Sequence, residues 1–341
     1  MPLLILTIGL AIIIGFSAHR ASLCSVSAVE EIISTRRAYM LASFIKASVW
    51  VAGIALIFTE VFSLKPAQID GWEFSAHTIW GGLLFGVGAA LNGGCAVSTL
   101  TRLGNGNLGK LLTLFGFFSG AILIDLMKSK GWVSSPISSQ TILGQDHAWK
   151  IWLTGGVALW MCWEAIRLVR LRLKTTLLKR IFAPRYKLSS AAFIIGVCNG
   201  VLFFIYGIWM HTRLLAETAQ YLVLDTPKPD TFLWVLFASL LLGITISALQ
   251  SRRFEFRWRP EKRWFLYSGG GLLMGIGGSM IPGGNDVIWL NALPSLSLHG
   301  IPAILSILTG IAAALLTLRL MGHDIQLMDC QEDICKVTHT S

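Results

Sequence analysis

One glycine-rich block is written twice in this chain of 341 residues. Its first copy, Gly81–Gly104, reads GGLLFGVGAALNGGCAVSTLTRLG, and its second, Gly270–Pro294, reads GGLLMGIGGSMIPGGNDVIWLNALP. Gly81, Gly82, Leu83, Leu84, Gly86 and Gly88 match Gly270, Gly271, Leu272, Leu273, Gly275 and Gly277. With one inserted residue, Gly93-Gly94-Cys95 then falls on Gly283-Gly284-Asn285. Such an echo marks an internal duplication and so two copies of one structural unit. Each copy starts as an apolar helix, breaks at a Gly-Gly pair and resumes as a short helical run.

Only 13% of the residues are charged and 54% are hydrophobic, against roughly 25% charged in a soluble domain. Apolar stretches of about 20 residues recur, each long enough to cross a hydrocarbon core of about 30 Å. The chain therefore reads as an all-α integral membrane protein. Its net charge of +10 does not point to nucleic acid, because the basic residues cluster between apolar segments, as the positive-inside rule requires. The amino terminus lacks the positive region of a signal peptide and reads as the first crossing.

Those clusters fix an expected topology. The loop holding Arg170, Arg172, Lys174, Lys179, Arg180 and Arg185 is cytoplasmic, and so is the one holding Arg253, Arg257, Arg259 and Lys262 against Glu255 and Glu261. Two crossings, 188–221 and 231–249, separate them. Working backwards, a crossing at 149–167 puts 128–148 outside, 108–127 runs outward from a turn holding Arg102 and Lys110, and 78–103 runs inward from an outer loop around Lys65–His77. Crossing 39–62 runs outward and 3–35 inward. Working forwards, the second glycine block runs outward and 300–320 returns. The total is about nine crossings, with the amino terminus outside and the carboxyl terminus cytoplasmic. The two glycine blocks then run in opposite directions, as an inverted repeat. The units are 1–127 and 188–322, joined by the linking crossing and basic loop 128–187 and followed by a tail, 323–341. Inverted repeats with broken helices point to a transport site at the midplane, although channels share the symmetry.

At Asn92–Cys95 the Gly-Gly pair frees backbone groups inside the membrane, which is tolerable only where they are buried in protein or line a cavity. A helix starting at Ala96 aims its amides and positive dipole end there, and Cys95 sits at its first turn, where thiols gain thiolate character. The alternative is a tight helix crossing with cysteine as filler. The first crossing holds a similar break, Ser17-Ala18-His19-Arg20-Ala21-Ser22-Leu23-Cys24, before the helical run Ser25–Thr35. It brings Cys24 to a second helix start, and Arg20, if at membrane depth, becomes a functional candidate; otherwise His19 and Arg20 mark an outer interface and Cys24 is buried filler. Gly196-Val197-Cys198-Asn199-Gly200 reads as the counterpart break in the second half. Asn285 and Asp286 stand where Cys95 and Ala96 stand, with Asp286 expected to cap a helix. Asp125, Glu60 and Glu164 read as interfacial. Of the other cysteines, Cys162 reads as packing filler. The terminal pair Cys330 and Cys335 reads as part of a reduced, mobile tail, since no His or further Cys sits at zinc-site spacing.

GVGAALNGGCAVSTLTRLGNG resembles the GGC signature of the YeeE/YedE family of sulfur-compound transporters, and HRASLCSVSAVEE resembles its amino-terminal Arg…Cys element. The resemblance spans most of the chain. It implies nine crossings, broken helices, an hourglass-shaped interior, and uptake of thiosulfate passed between thiols at helix ends, with Cys24 and Cys95 as contacting residues. The chain departs from the pattern at Asn285, where such family members carry a further cysteine; Cys198 lies in the right half but at the wrong break. The expectation is an inner-membrane permease for a small sulfur-containing anion, with Cys24, Cys95, Asn285, Arg20 and the backbones of Gly93, Gly94, Gly283 and Gly284 at the substrate. It is not read as an enzyme, and no cofactor or metal is expected, for no nucleotide fingerprint, haem pair or CxxC motif is present. A small cytoplasmic sulfurtransferase could dock on the basic loops. The alternatives are a membrane thiol-redox protein or sulfur or selenium carrier using Cys24 and Cys95 covalently, and a passive pore.

Overall fold

The computed structural model describes residues 2–64, 67, 70–144, 149–172, 182–258, 263–322, 327–331 and 333–338. Lys65, Lys174, Lys179, Arg180, Arg259, Glu261 and Lys262, used above for topology, lie outside the described residues.

The described chain is almost wholly helical: α1 Pro2–Ala21, α2 Ser25–Thr35, α3 Tyr39–Leu56, α4 Ala76–Asn92, α5 Ala96–Gly104, α6 Lys110–Ser129, α7 Lys150–Arg172, α8 Leu188–Tyr206, α9 His211–Leu224, α10 Thr231–Gln250, α11 Arg263–Met280, a short α12 Asn285–Val287 running into a π turn Ile288–Ala292, and α13 Gly300–Leu320. Seven helical stretches among the described residues are long and apolar enough to cross a membrane; three of them, Pro2–Thr35, Ala76–Gly104 and Leu188–Leu224, contain a break. Helix α7, with Glu164, Arg167 and its tryptophans, and the glycine-rich α11 fall outside that group.

The glycine blocks lie against each other. Helices α4 and α11 pack antiparallel, with Gly81 on Gly277 and Gly88 on Gly270. Because Gly81 matches Gly270 and Gly88 matches Gly277 in the duplication, each contact exchanges the two copies. The flanking packing repeats this exchange: Gly86 of α4 meets Ile307 of α13, and Gly275 of α11 meets Phe117 of α6. Helix backbones this close gain dispersion contacts and leave no room for side chains between them. Outside this four-helix centre, α1 runs parallel to α10, with Gly15 on Leu240 and Ile244, His19 on Ser247 and Arg20 on Gln250, and α3 parallel to α8, with Ala47 on Gly196 and Ile54 on Gly200.

The expected break at Gly196–Gly200 is corrected: α8 runs unbroken through it. The chain breaks instead at Gly207–Met210, where Gly207 has φ 72° and Met210 caps α9. Asn199 satisfies polar groups rather than breaking a helix. Its amide donates to Leu290 O at 2.9 Å, a carbonyl of the π turn, and its oxygen accepts from the Trp209 indole at 2.9 Å. A π turn displaces backbone partners, and buried carbonyls must find new ones.

Two short β pairs depart from a purely helical fold. Strands Asp70–Trp72 and Ser138–Gln140 join the loops at one end, where Trp72 N also donates to Ser297 Oγ at 3.1 Å. Strands Leu327–Gln331 and Ile334–Thr338 form a tail hairpin at the other end. The hairpin's register sets Cys330 opposite Cys335, and a disulfide joins them. Asp333 ties the hairpin down by accepting from Ser189 N at 2.9 Å, and its main-chain oxygen accepts from Leu188 N at 2.8 Å. The expectation of a reduced, mobile tail is corrected accordingly. Cys162 is exposed on the outside of α7 and fills no core. Asp125 and Glu164 are buried within the protein, Asp125 paired with Lys128 at 2.9 Å and Glu164 with Arg167 at 2.7 Å and Lys46 at 3.1 Å.

Candidate functional site

Three chain breaks meet in the interior. Cys24 is the residue before α2 and Cys95 the residue before α5, both in extended backbone conformation. Both thiols are buried, Cys95 completely. The Cys95 amide points at Cys24 Sγ, 3.4 Å away. The sulfurs share two sets of helix-start amides: Cys24 lies against Ser27 N and Cys95 N, and Cys95 against Ser98 N and Ser25 N. Asn285 closes the group. Its Oδ1 accepts from Ala96 N at 3.4 Å, and its Nδ2 donates to Ser25 Oγ at 2.9 Å. The amino ends of α2 and α5 thus converge on one point, with two thiols and a carboxamide between them.

The alignment places Asn285 on Cys95, but the geometry is offset by one residue. Gly284 takes the capping position in the second copy, and Asn285 is the first helical residue. Asn285 reaches across with its side chain where Cys95 uses its own amide. Two glycines make these turns feasible. Gly93 has φ 70° and Gly283 φ 136°, a region that a residue with a Cβ enters at a cost.

The first break is held by residues outside the GGC signature. Lys110, fully buried at the start of α6, donates to Asn92 O at 2.7 Å and Asn92 Oδ1 at 2.8 Å, and sits 3.5 Å from the centre of the Tyr267 ring. Its Nζ therefore satisfies the last carbonyl of α4. Asn92 in turn donates to Gly94 O and Thr99 Oγ1, both at 2.8 Å. The sequence places Lys110 in a loop because a lysine in a turn is ordinary; the short link 105–109 leaves it at the helix start, within reach of the break.

Arg20 does not join the cysteines. Its guanidinium donates to Ala183 O at 2.8 Å and Gln250 Oε1 at 2.7 Å and lies over Phe16, at the end of α1. Beside it His19 bridges Ser247 Oγ and Asn105 Oδ1, each at 2.8 Å. Asp286 is not the cap residue, a position that Gly284 takes: it accepts from Thr212 Oγ1 at 2.6 Å and lies 3.1 Å from His211 Nδ1. Sequence reasoning missed Ser25, Ser98, His211 and Thr212. The signal for His211 was present, because an ionisable residue within an apolar crossing is a functional candidate by default.

Both cysteines are buried among neighbouring helices. A cavity of about 490 Å³ opens elsewhere, between α3, α8 and the Ser138–Gly144 loop, with Glu60, Thr59, Phe203 and Ser295 on its walls. Chemically, the meeting point offers several N–H donors, two S–H groups and a carboxamide in a dry interior. Charge-assisted hydrogen bonds of this kind contribute about 1.5–3 kcal/mol each, whereas one helix dipole end adds about 0.3–1 kcal/mol. The amide and thiol donors, more than the dipoles, would have to replace an anion's water.

The family profile described as "Sulphur transport" matches residues 20–313. The chain is similar to the thiosulfate transporter TsuA of Escherichia coli (strain K12), 25% identical over 307 residues that cover 81% of this chain and 84% of that protein. The matched residues include all three breaks at the meeting point.

Proposed function

The chain belongs to the sulphur transport family, and from that premise we propose that it is a multi-pass inner-membrane permease for a thiosulfate-like anion. The observation that carries the reading is the meeting of Cys24, Cys95 and Asn285 through the amide-rich starts of α2 and α5. The anion exchanges its hydration for amide and S–H donors, with the backbones of Gly93, Gly94, Gly283 and Gly284 free to approach it. It is then handed on without a covalent step. Multiple weak contacts along such a path let an ion leave as well as enter. With Asn285 in place of a third thiol, the second contact is a carboxamide, which donates to an oxygen of the anion.

We further propose that residues 1–127 and 188–322 are inverted units that give nine crossings around an hourglass interior. The reciprocal contacts of Gly81 with Gly277 and of Gly88 with Gly270 support that reading. In this arrangement the basic loops and the tail hairpin face the cytoplasm and the amino terminus faces outside.

Uptake in cells lacking other sulfur importers tests the function, with thiosulfate, sulfite, sulfate and selenite offered in parallel. Thiosulfate should enter, and Cys95→Ala should lose at least about tenfold of its rate, the equivalent of one hydrogen bond of about 1.4 kcal/mol. Wild-type rates in Cys95→Ala would remove the thiol from the mechanism. The adjacency of Cys24 and Cys95 also suits a covalent sulfur carrier. In that case a mass adduct of substrate sulfur on Cys95 would accumulate, whereas permeation leaves both thiols unmodified.

A further inference from the structure

The second half of the chain sets an acid and a base where the first half sets thiols. Met210 precedes α9 as Cys24 precedes α2, and the next residue, His211, is only 2% exposed. Asp286, beside Asn285, is likewise 2% exposed. His211 Nδ1 lies 3.1 Å from Asp286 Oδ2, at ion-pair distance. Thr212 Oγ1 donates to Asp286 Oδ1 at 2.6 Å and accepts from Gly284 N at 2.9 Å, so the pair is built into the break that carries Asn285.

The permeation path described above uses neither group. Both are costly at membrane depth, and intramembrane acids and histidines commonly relay protons. Charges on α6 and α9 have partners of their own. On α6 Asp125 holds Lys128 at 2.9 Å, and on α9 Arg213 holds Glu217 at 2.7 Å. Helix α10 contributes Phe237, stacked on the His211 ring at 6.0 Å, and no ionisable residue. On α11 the ionisable residues are Arg263 and Tyr267, with Tyr267 under Lys110. The π turn carries none, and the first-half breaks bring the Cys24 and Cys95 thiols.

Without a bound proton the His211–Asp286 pair is net negative, as imidazole and carboxylate, and repels an anion arriving at Asn285. One proton, on His211, leaves the pair neutral, as imidazolium and carboxylate, and removes that repulsion. We propose that His211 and Asp286 form a proton-binding site coupled to the anion, so that the permease carries a proton inward with each sulfur anion. The inference rests on the permease reading. By linkage, the anion raises the site's affinity for the proton by the factor with which the proton raises affinity for the anion. The balance is simple: the proton binds from the outer water, no bond to sulfur forms or breaks, and the proton leaves to the inner water with the anion.

The test uses the purified full chain in liposomes loaded with a pH-sensitive dye, with thiosulfate as the probe. Adding thiosulfate outside should acidify the lumen. An inward proton gradient should speed uptake by a factor within the usual coupling range of about 5- to 150-fold. Asp286→Asn, which keeps the Thr212 contact but cannot ionise, should lose both the acidification and the response to the gradient. His211→Gln should slow uptake at every pH. Thiosulfate uptake by the wild type without acidification, or acidification by Asp286→Asn equal to the wild type, would overturn the coupling and leave the permease standing. Absence of thiosulfate uptake under every gradient would overturn both.

Discussion

Asn285 is the residue at which this chain departs from the thiol pattern, and it is held from two sides, by Ala96 N at 3.4 Å and Ser25 Oγ at 2.9 Å. Asn285→Asp is close to isosteric, so it isolates charge from shape. A unit charge within about 4 Å of an anion costs about 4 kcal/mol at an effective dielectric of 20, far more than a tenfold change in rate requires. Asn285→Asp should therefore abolish uptake while the thermal midpoint in detergent moves by only a few degrees; uptake within twofold of wild type would remove Asn285 from the path. Lys110 acts one step further away. Replacing it by Met leaves the Asn92 carbonyl buried without its donor, at a cost of about 1–3 kcal/mol. Lys110→Met should thus lower the midpoint and slow uptake together, because Asn92 also holds Gly94 and Thr99. A variant of unchanged stability would show that the Nζ donor is not needed at the end of α4. Cys24 and Cys95 were legible because a cysteine after a Gly-Gly break is unusual within an apolar run. Lys110 was not, since its role comes from which break the tertiary fold brings beside it.

At the scale of elements, the glycines of α4 and α11 do different work depending on the face they occupy. A Cβ on Gly270 would stand 2.7 Å from Gly88 O, whereas one on Gly269, its neighbour, would meet nothing within 4 Å. Gly269→Ala should raise stability by about 0.5–1 kcal/mol through the unfolded chain and helix propensity. Gly270→Ala should lower it, by roughly 1–3 kcal/mol, as backbone is forced apart. The two variants share a helix and a substitution, so opposite shifts in thermal midpoint isolate the packing; shifts of the same sign would deny the close approach of α4 and α11. The helix starts at Ser25 and Ala96 were legible from residue pattern, because a polar or Gly-Gly interruption stands directly before each. The break at Gly207–Met210 was not. Its residues, Gly-Ile-Trp-Met, are apolar apart from one glycine, while Cys198-Asn199, about two turns earlier, imitates a break. Asn199 is polar because the π turn beyond Val287 frees a carbonyl that it must bond.

At the scale of the whole molecule, the contacts sort the loops into two ends. Arg20 with Ala183 and Gln250, Arg253 with Pro184, and the 105–108 turn with the 255–257 segment share one end with the tail hairpin, which Arg37 and Arg185 contact. Trp72 with Ser297, the Asp70–Gln140 strand pair and Lys150 with Glu60 share the other. Apart from Arg20, which lies at the end of the basic loops and not at an outer interface, these described residues fall into the same two groups that charge draws. The agreement has a physical origin: basic loops stay where synthesis left them, and crossings must alternate between them. Which end faces the cytoplasm follows from charge alone and can be measured. In a background lacking the exposed Cys162, single cysteines at Ser134 and Arg252, both exposed in their loops, report one end each. In intact cells an impermeant maleimide should label Ser134→Cys at once and Arg252→Cys only after permeabilisation. The reverse pattern would invert the protein and, with it, the direction in which the His211–Asp286 pair meets the anion. Labelling of both from one side would break the two-ended arrangement itself, and the opposed directions of α4 and α11 could then no longer arise from an inverted repeat.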